Sequence, residues 1–242
     1  MKDREIYAGL ITTVPFVLRL DGRSFHRFSR ERGFEKPYDR RFSDAMAKTA
    51  LSLVNDSGLS PAFAYTFSDE ISLYVPTPVF DCRVEKLLSV AAGFASSAFT
   101  LFSESSDPLA FDCRVVPVAE EQLCAYLAWR QAESWRNHIN GYAQKLLMDT
   151  GLSATVAQRK LDGMSAAALH ELAFSFGVNL AETPAWQRRG TAVYRTVVEK
   201  EGHNPVTGED VRVLRRTAVI DENLPLFRTP EGSAWVLNRI HA

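Results

Sequence analysis

The stretch "FVLRLDGRSFHRF", from Phe16 to Phe28, decides the architecture of the first half of the chain. Its first residues alternate between apolar side chains and others, which predicts a strand with one apolar face. The strand ends at Asp21, and Gly22 and a run of basic residues follow. An Asp-Gly pair after a strand is typical of a turn, so the carboxylate suggests chemistry only if another feature of the chain requires it.

The segments that follow this strand predict a helix and a hairpin. Between Asp39 and Gly58 apolar residues recur at helical spacing, with Asp39 placed as the N-cap and Gly58 as the C-terminal stop. Two short aromatic and β-branched runs then flank "SDE", which predicts a hairpin with Asp69 at or near its tip.

A second helix over 81–102 and a strand over 113–118 complete the order strand, helix, strand, strand, helix, strand. That order is the ferredoxin-like βαββαβ arrangement, an α+β fold with two helices on one face of an antiparallel sheet. The proline within the last strand predicts an edge position or a strand end. Residues 1–118 are therefore predicted to form a compact α+β core.

The remainder of the chain, 119–242, is predicted to be a helical region and a β-hairpin packed on that core. Residues 119–180 have a helical pattern almost throughout. The strand-like runs "RRGTAVYRTVVEK" and "VRVLRRTAVID" enclose the turn formers of 201–210, which predicts a long β-hairpin. We expect the two regions to form one compact unit.

The composition sets limits on partners and location. The net charge is −1, from 28 Lys and Arg against 29 Asp and Glu, so nucleic-acid binding would have to rest on local patches. The longest weakly polar run, "VAAGFASSAFTLF", is too short to span a bilayer, and the N-terminus has no apolar signal segment. The three cysteines form no CxxC pair. We expect a cytoplasmic location and no membrane partner.

Asp21 and Asp69 are predicted to meet, because the strands that carry them are neighbours in this topology and both acids lie at strand ends. Two unpaired carboxylates that close repel each other and raise each other's pKa, a cost that a bound divalent cation removes. Oxygen ligands without His or Cys favour Mg²⁺ over Zn²⁺. One or two Mg²⁺ ions on such a sheet form a site for phosphoryl transfer. Gly22 has no Cβ, so its backbone can approach a metal or a phosphate closely.

Basic residues are in excess between Arg19 and Arg41, although the whole chain is nearly neutral. Such residues near a metal site would hold triphosphate oxygens or an RNA backbone. Arg83 and Lys86 are three residues apart and share a face at the start of the second helix. The alternative interpretation is a solvated loop whose arginines pair with nearby acids.

Ordered motifs along the chain resemble those of one family, the tRNA-His guanylyltransferases and their guanylyltransferase-like 3′-to-5′ polymerase relatives. The motifs are "RLDGRSFHRF" at 19–28, "FEKPYD" at 34–39, "FSDEIS" at 67–72, "FASSAF" at 94–99, "FDCRVVPV" at 111–118, "YLAWRQAESWRNHI" at 126–139 and "RRGTAVYR" at 188–195. This resemblance implies a palm-type catalytic domain in which the 3′-hydroxyl of an incoming nucleotide attacks an activated 5′ end of a tRNA. ATP activates a 5′-monophosphate first, and a 5′-triphosphate is used directly.

The resemblance also implies roles for individual residues. Two Mg²⁺ ions would be held by Asp21, the carbonyl of Gly22 and Asp69, and the two aspartates would be catalytic. ATP or GTP, as substrates, would contact Asp21, Gly22, Arg23, Ser24, Phe25, His26, Lys36, Ser68, Asp69, Arg83 and Lys86. Arg130, Arg136 and Asn137 are the candidate tRNA contacts, and Arg130 and Asn137 share a helical face. By analogy the family implies a homotetramer built as a dimer of dimers.

One departure from the family pattern concerns the substrate. Enzymes that add the extra G to tRNA-His carry H-I-N-N where this chain has Trp135, Arg136, Asn137 and His138. The sequence here is similar to the bacterial and archaeal guanylyltransferase-like group, which extends truncated tRNA 5′ ends against a template. Strict G−1 addition to tRNA-His is the alternative. A palm-type nucleotide cyclase and a non-catalytic RNA-binding module are alternatives of other classes.

Overall fold

The computed structural model describes residues 4–203 and 210–241. Residues 204–209, which belong to the predicted hairpin loop, lie outside the described residues. One six-stranded antiparallel sheet organises the described chain, in the order β4-β1-β3-β2-β5-β6. Its strands are β1 (Phe16–Gly22), β2 (Phe63–Phe67), β3 (Glu70–Val75), β4 (Phe111–Pro117), β5 (Thr191–His203) and β6 (Asp210–Asp221).

Helices cover both faces of this sheet. They are α1 (Phe25–Glu31), α2 (Arg40–Asp56), α3 (Val84–Phe102), α4 (Glu120–Asp149), α5 (Ala154–Leu161), α6 (Ala166–Ser175), α7 (Ala185–Arg189) and α8 (Pro230–Ile240). The order β1-α2-β2-β3-α3-β4 and the sheet order β4-β1-β3-β2 confirm the ferredoxin-like prediction. β4 is an edge strand that ends at Pro117, as its proline predicts. The predicted C-terminal hairpin is β5 and β6, which extend the sheet beyond β2.

Local signals set the ends of α2 where the sequence predicts them. The Asp39 carboxylate accepts a hydrogen bond from the backbone N–H of Arg41, and the Arg41 guanidinium lowers the pKa of that carboxyl to about 2. Gly58, two residues after the last helical residue, has a φ of 73°, which is the left-handed conformation that ends helices. Both caps are therefore confirmed.

The strand β1 separates two apolar layers. Phe16, Leu18 and Leu20 pack with α2 and α3 on one face, whereas Val17 packs with α4 and α8 on the other. Because side chains alternate along a strand, Asp21 continues the face of Val17, on the α4 side.

α3 is the one described helix with the length and hydropathy of a membrane span, but its Leu87 and other residues belong to the first core layer.

The short helix α1 is not part of the predicted order of elements. Its Phe25 and Phe28 are buried, and the ring of Phe25 stacks on Phe99 of α3 with ring centroids 4.8 Å apart. Aromatic packing of this kind holds the segment after β1 against the core. The residues that follow Asp21 and Gly22 therefore form a packed turn of helix rather than an open loop.

Candidate active site

Asp21 and Asp69 lie at the same rim of the sheet. Asp21 stands opposite Glu70 in the β1–β3 register, and Asp69 directly precedes Glu70 in the hairpin turn. The backbone N–H of Gly22 donates to the carbonyl oxygen of Asp69 at 3.0 Å. Burial, and next the charge of Asp21, raise the pKa of Asp69. The predicted convergence of the two acids is therefore present in the structure.

Gly22 is required by the close approach of these two segments. A Cβ added at Gly22 would lie 2.9 Å from the Cβ of Asp69 and 2.6 Å from Cδ2 of Phe25. Both distances are shorter than real Cβ contacts. The glycine at this position therefore lets the end of β1 pack directly against the turn that carries Asp69.

The chemistry of this rim fits Mg²⁺. The described residues contain no cluster of three or more His, Cys, Asp or Glu side chains able to hold a metal. Mg²⁺ is commonly bound by only one or two carboxylates, with waters and substrate phosphates as the other ligands. Asp21, Asp69 and the carbonyl of Gly22 would hold it here, and its charge would offset the repulsion that raises the pKa of Asp69.

Some of the residues after Gly22 make contacts within the fold, and others remain available to a ligand. The backbone N–H of Arg23 donates to the carbonyl of Ala110 at 2.8 Å, so this donor is already used within the fold. The side chain of Phe25 is buried in the aromatic cluster, which leaves only its backbone for a ligand. Ser24 has a left-handed φ of 60° and precedes α1, and the side chain of His26 is exposed beside the cavity described next.

A cleft opens beside Asp69. A cavity of about 200 Å³ is lined by residues that include His26, Lys36, Ser68 and Asp69. It shares Tyr38 and other lining residues with an adjoining cavity of about 260 Å³, and the two together form the cleft. The lining of the adjoining cavity includes Ser134, Asn137, Trp186 and Gln187. The Oγ of Ser68 donates to the carboxylate of Asp69 at 3.1 Å. Polar groups, a cation and aromatic rings therefore surround a space that continues from the acids to α4.

The structure does not bring Arg83 and Lys86 to this rim, which corrects their assignment as nucleotide contacts within one chain. β3 begins directly after Asp69, and the chain reaches α3 only beyond the opposite end of β3. At about 3.4 Å per residue, the two ends of β3, Glu70 beside the rim and Val75 before α3, are about 17 Å apart. Arg83 caps α3 and bridges to Ile11, and the ammonium of Lys86 lies 5.9 Å from the ring centroid of Phe80.

Arg130 also differs from its predicted role. It is 7% exposed, and its guanidinium forms two hydrogen bonds to the carboxylate of Glu70, at 2.8 and 2.9 Å. This buried contact turns the guanidinium away from solvent, so Arg130 is not available to bind tRNA. Arg136 is exposed and pairs with Glu133 on the same helix. Asn137 lines the cleft.

Three residues of this region were not singled out from the sequence. Glu70 is buried on the α4 face of β3, and a carboxylate in a buried strand is itself a signal that a cationic partner is needed. Tyr38 and Trp186 pack edge to face with centroids 5.8 Å apart in the cleft wall. Tyr38 lies within the motif at 34–39, whereas no local pattern marks Trp186.

Comparisons with known proteins agree with this geometry. Residues 1–119 match the family profile described as tRNAHis guanylyltransferase, and residues 121–223 match the profile described as the Thg1 C terminal domain. A probable tRNA(His) guanylyltransferase of Drosophila melanogaster is 36% identical over 197 residues, which cover 77% of this chain and 68% of that protein.

Two solved structures have the same fold. Each is of a bacterial tRNA(HIS) guanylyltransferase (Thg1)-like protein, one in complex with GTP and the other with ATP. Their TM-scores are 0.72 and 0.75 at 20% and 21% identity, and each match covers 100% of this chain and 96% of the other. From the matched profiles and the similarity to the Drosophila protein, this chain belongs to the tRNAHis guanylyltransferase family, whose members are nucleotidyltransferases of tRNA processing.

Proposed function

We propose that this protein is a Mg²⁺-dependent 3′-to-5′ nucleotidyltransferase that adds nucleotides to the 5′ end of tRNA. The observation that carries the proposal is the position of Asp21 and Asp69 at one sheet rim, with Asp69 in the lining of a cleft. Two carboxylates at one rim, where the charge of Asp21 raises the pKa of Asp69, suit a cation-assisted transfer of phosphoryl groups.

The residues around the cleft suggest how the reactants are held. Lys36 and His26 are exposed beside Asp69 and would contact the phosphates of the nucleotide. Tyr38 and Trp186 supply aromatic surface for a base. Bound Mg²⁺ would stabilise negative charge on the phosphate oxygens. The 3′-hydroxyl oxygen of the nucleotide bonds to the α-phosphorus of a 5′-triphosphorylated tRNA, and pyrophosphate leaves.

The nucleotide added is either GTP alone or any nucleotide directed by the opposing template base. The names of the relatives favour G−1 addition to tRNA-His. The absence of H-I-N-N from 135–138 favours templated addition, which we propose as the main activity. The structure adds that Trp135 and His138 stack on each other, with centroids 5.3 Å apart, and that Asn137 is the member of this group in the cleft lining.

A primer-extension assay tests the proposal. The purified protein is incubated with tRNAs truncated at the 5′ end, each nucleoside triphosphate and Mg²⁺, while the opposing template base is varied. We expect added nucleotides to follow the template base; addition of G alone to tRNA-His would support strict G−1 transfer instead. A parallel reaction with labelled GTP and no RNA would reveal a cyclase. RNA binding without any addition in Mg²⁺ would overturn the enzymatic proposal.

Sedimentation analysis tests whether the protein forms the tetramer that we propose by analogy with the family.

A further inference from the structure

A second cavity lies on the side of α4 that faces away from the catalytic cleft. Its volume is about 300 Å³, and its walls include Trp135 and Ala132 of α4 and Leu226 of the segment before α8. Trp135 and Asn137 are two residues apart, which places them about 200° apart around a helix. Asn137 lines the catalytic cleft and Trp135 lines this cavity, so a ligand here is not the reacting nucleotide.

The helix α7 separates the two cavities. Trp186 and Gln187 line the catalytic cleft, whereas the next two residues, Arg188 and Arg189, line the second cavity. Arg228 lines it from the segment that leads into α8. Three arginines from two parts of the chain therefore line one largely apolar space.

These guanidinium groups have no carboxylate partner among the residues that the structure describes. Nε of Arg188 donates to the carbonyl of Thr183 at 2.8 Å, and Nη1 of Arg189 donates to the carbonyl of Leu224 at 2.8 Å. Arg228 makes no hydrogen bond or ion pair with any residue that the structure describes. Burial, and next the charge of Arg189, lower the pKa of Arg188.

A ligand for this space must be anionic and must also offer apolar surface. Guanidinium groups with unused N–H donors match phosphate oxygens. The indole of Trp135 and the side chains of Ala132 and Leu226 match a base or a sugar. A volume of about 300 Å³ is at the lower limit for small-molecule pockets, which suits one nucleotide rather than several.

We propose that this cavity binds one nucleoside phosphate unit, with its phosphate on Arg188 and Arg228 and its base or sugar against Trp135 and Leu226. The unit has two sources, a free mononucleotide or one nucleotide of a single-stranded RNA segment. Because α7 forms a wall of both cavities, a nucleotide bound here contacts the element that carries Trp186 and Gln187 in the catalytic cleft.

Binding measurements in EDTA test the proposal and do not depend on whether the protein adds nucleotides to tRNA. Equilibrium dialysis with labelled adenosine 5′-monophosphate measures nucleotide binding, and fluorescence anisotropy with a labelled single-stranded hexaribonucleotide measures RNA binding. The variants are Arg228→Gln, which removes no observed contact, and Arg188→Gln with Arg228→Gln. Arg159→Gln, an exposed change on α5, is the matched control for lost charge. Ala132→Leu fills the cavity without changing charge.

For a free nucleotide, we expect Arg228→Gln and Ala132→Leu to abolish one class of dialysis sites or weaken it at least about tenfold, with RNA binding unchanged. For an RNA nucleotide, hexaribonucleotide binding weakens by a similar factor, and its salt dependence becomes shallower by about one unit of log–log slope for the lost phosphate contact. Arg159→Gln leaves both probes unaffected. The proposal is overturned if Arg228→Gln and Ala132→Leu bind both probes as the unmodified protein does, or if Arg159→Gln weakens binding equally.

Discussion

Arg130 and Glu70 form a buried two-point ion pair, with Nε to Oε1 at 2.8 Å and Nη2 to Oε2 at 2.9 Å. The pair joins α4 to the first residue of β3, directly after Asp69. The guanidinium also lies over the ring of Trp129, 4.2 Å from its centroid. Burial raises the pKa of Glu70 even with this cation beside it. The pair therefore holds the turn that carries Asp69, a catalytic candidate, against α4.

We expect Arg130→Met to destabilise the fold by about 3–5 kcal/mol, because it leaves the Glu70 carboxylate buried and unpaired. Urea unfolding measures the change. The double variant Arg130→Met with Glu70→Gln should recover part of that loss, since no uncompensated charge remains. If Arg130→Met keeps full stability and only raises the KM for tRNA, Arg130 is an RNA contact after all and the ion pair contributes little.

Asp21→Asn and Asp69→Asn should each reduce nucleotide addition to a 5′-triphosphorylated tRNA by at least about a hundredfold, because each removes a proposed ligand for Mg²⁺. Without Mg²⁺, Asp69→Asn should melt at or above the temperature of the unmodified protein, because a buried charge beside Asp21 is lost. Single-turnover kinetics and thermal melting measure the two effects. Asp149→Asn, on the exposed end of α4, is the control. Full activity of either rim variant would remove the basis of the proposed mechanism.

Gly22→Ala should lower stability by about 1–3 kcal/mol, because its methyl group would overlap Phe25 and the Cβ of Asp69. Activity should fall as well, since Asp69 has to move. Gly93→Ala is a matched control in α3, where an added Cβ meets nothing within 4 Å. That change should stabilise the helix by about 0.5–1 kcal/mol. Equal effects of the two substitutions would show that the close approach at Gly22 is unimportant.

Lys36→Ala should raise the KM for the nucleoside triphosphate about tenfold while kcat changes little, because the ammonium would bind phosphates in the ground state and the transition state alike. Lys36 is exposed beside Asp69 in the cleft, whereas Lys160 is exposed on α5. Steady-state kinetics of Lys36→Ala and Lys160→Ala provide the comparison. An unchanged nucleotide KM in Lys36→Ala counts against the assigned contact.

The stability of the protein should fall between neutral and mildly acidic pH through His138. Burial lowers the pKa of this ring from 6.5 to about 4, and the positive charges of Arg188 and His170 add to the shift. The unfolded chain takes up the proton at the higher pH, so the contribution of the neutral ring is complete above 6.5 and is lost as the pH falls to about 4.

We expect His138→Gln to flatten this part of the pH profile, which denaturant unfolding at about pH 7 and about pH 5 measures. The free energy of unfolding changes by up to about 1 kcal/mol per pH unit for one such group. His241→Gln, an exposed ring at the end of α8, should leave the profile unchanged. Identical profiles for His138→Gln and the unmodified protein would show that His138 is protonated at no cost.

Much of the fold follows from local pattern. Alternation in β1, the caps Asp39 and Gly58 and the hairpin turn at Asp69 each depend on neighbours in the chain, so they are predictable. The helix α1 was missed because its stability comes from Phe25 packing on Phe99, a contact between distant segments. Arg83 and Lys86 were placed by motif position, which carries no information about the end of the sheet at which α3 begins.

Periodicity, capping signals and ordered motifs in the amino-acid sequence were enough to predict the order of strands and helices, the family and the two acids at strand ends. The pairing of Glu70 with the guanidinium of Arg130 follows from the packed chain alone, and so does the position of Arg188, Arg189 and Arg228 around one cavity. Glu70 and Arg130 are too far apart in the chain for a local pattern to pair them; burial selects the pair, since a charge removed from water needs the nearest opposite charge.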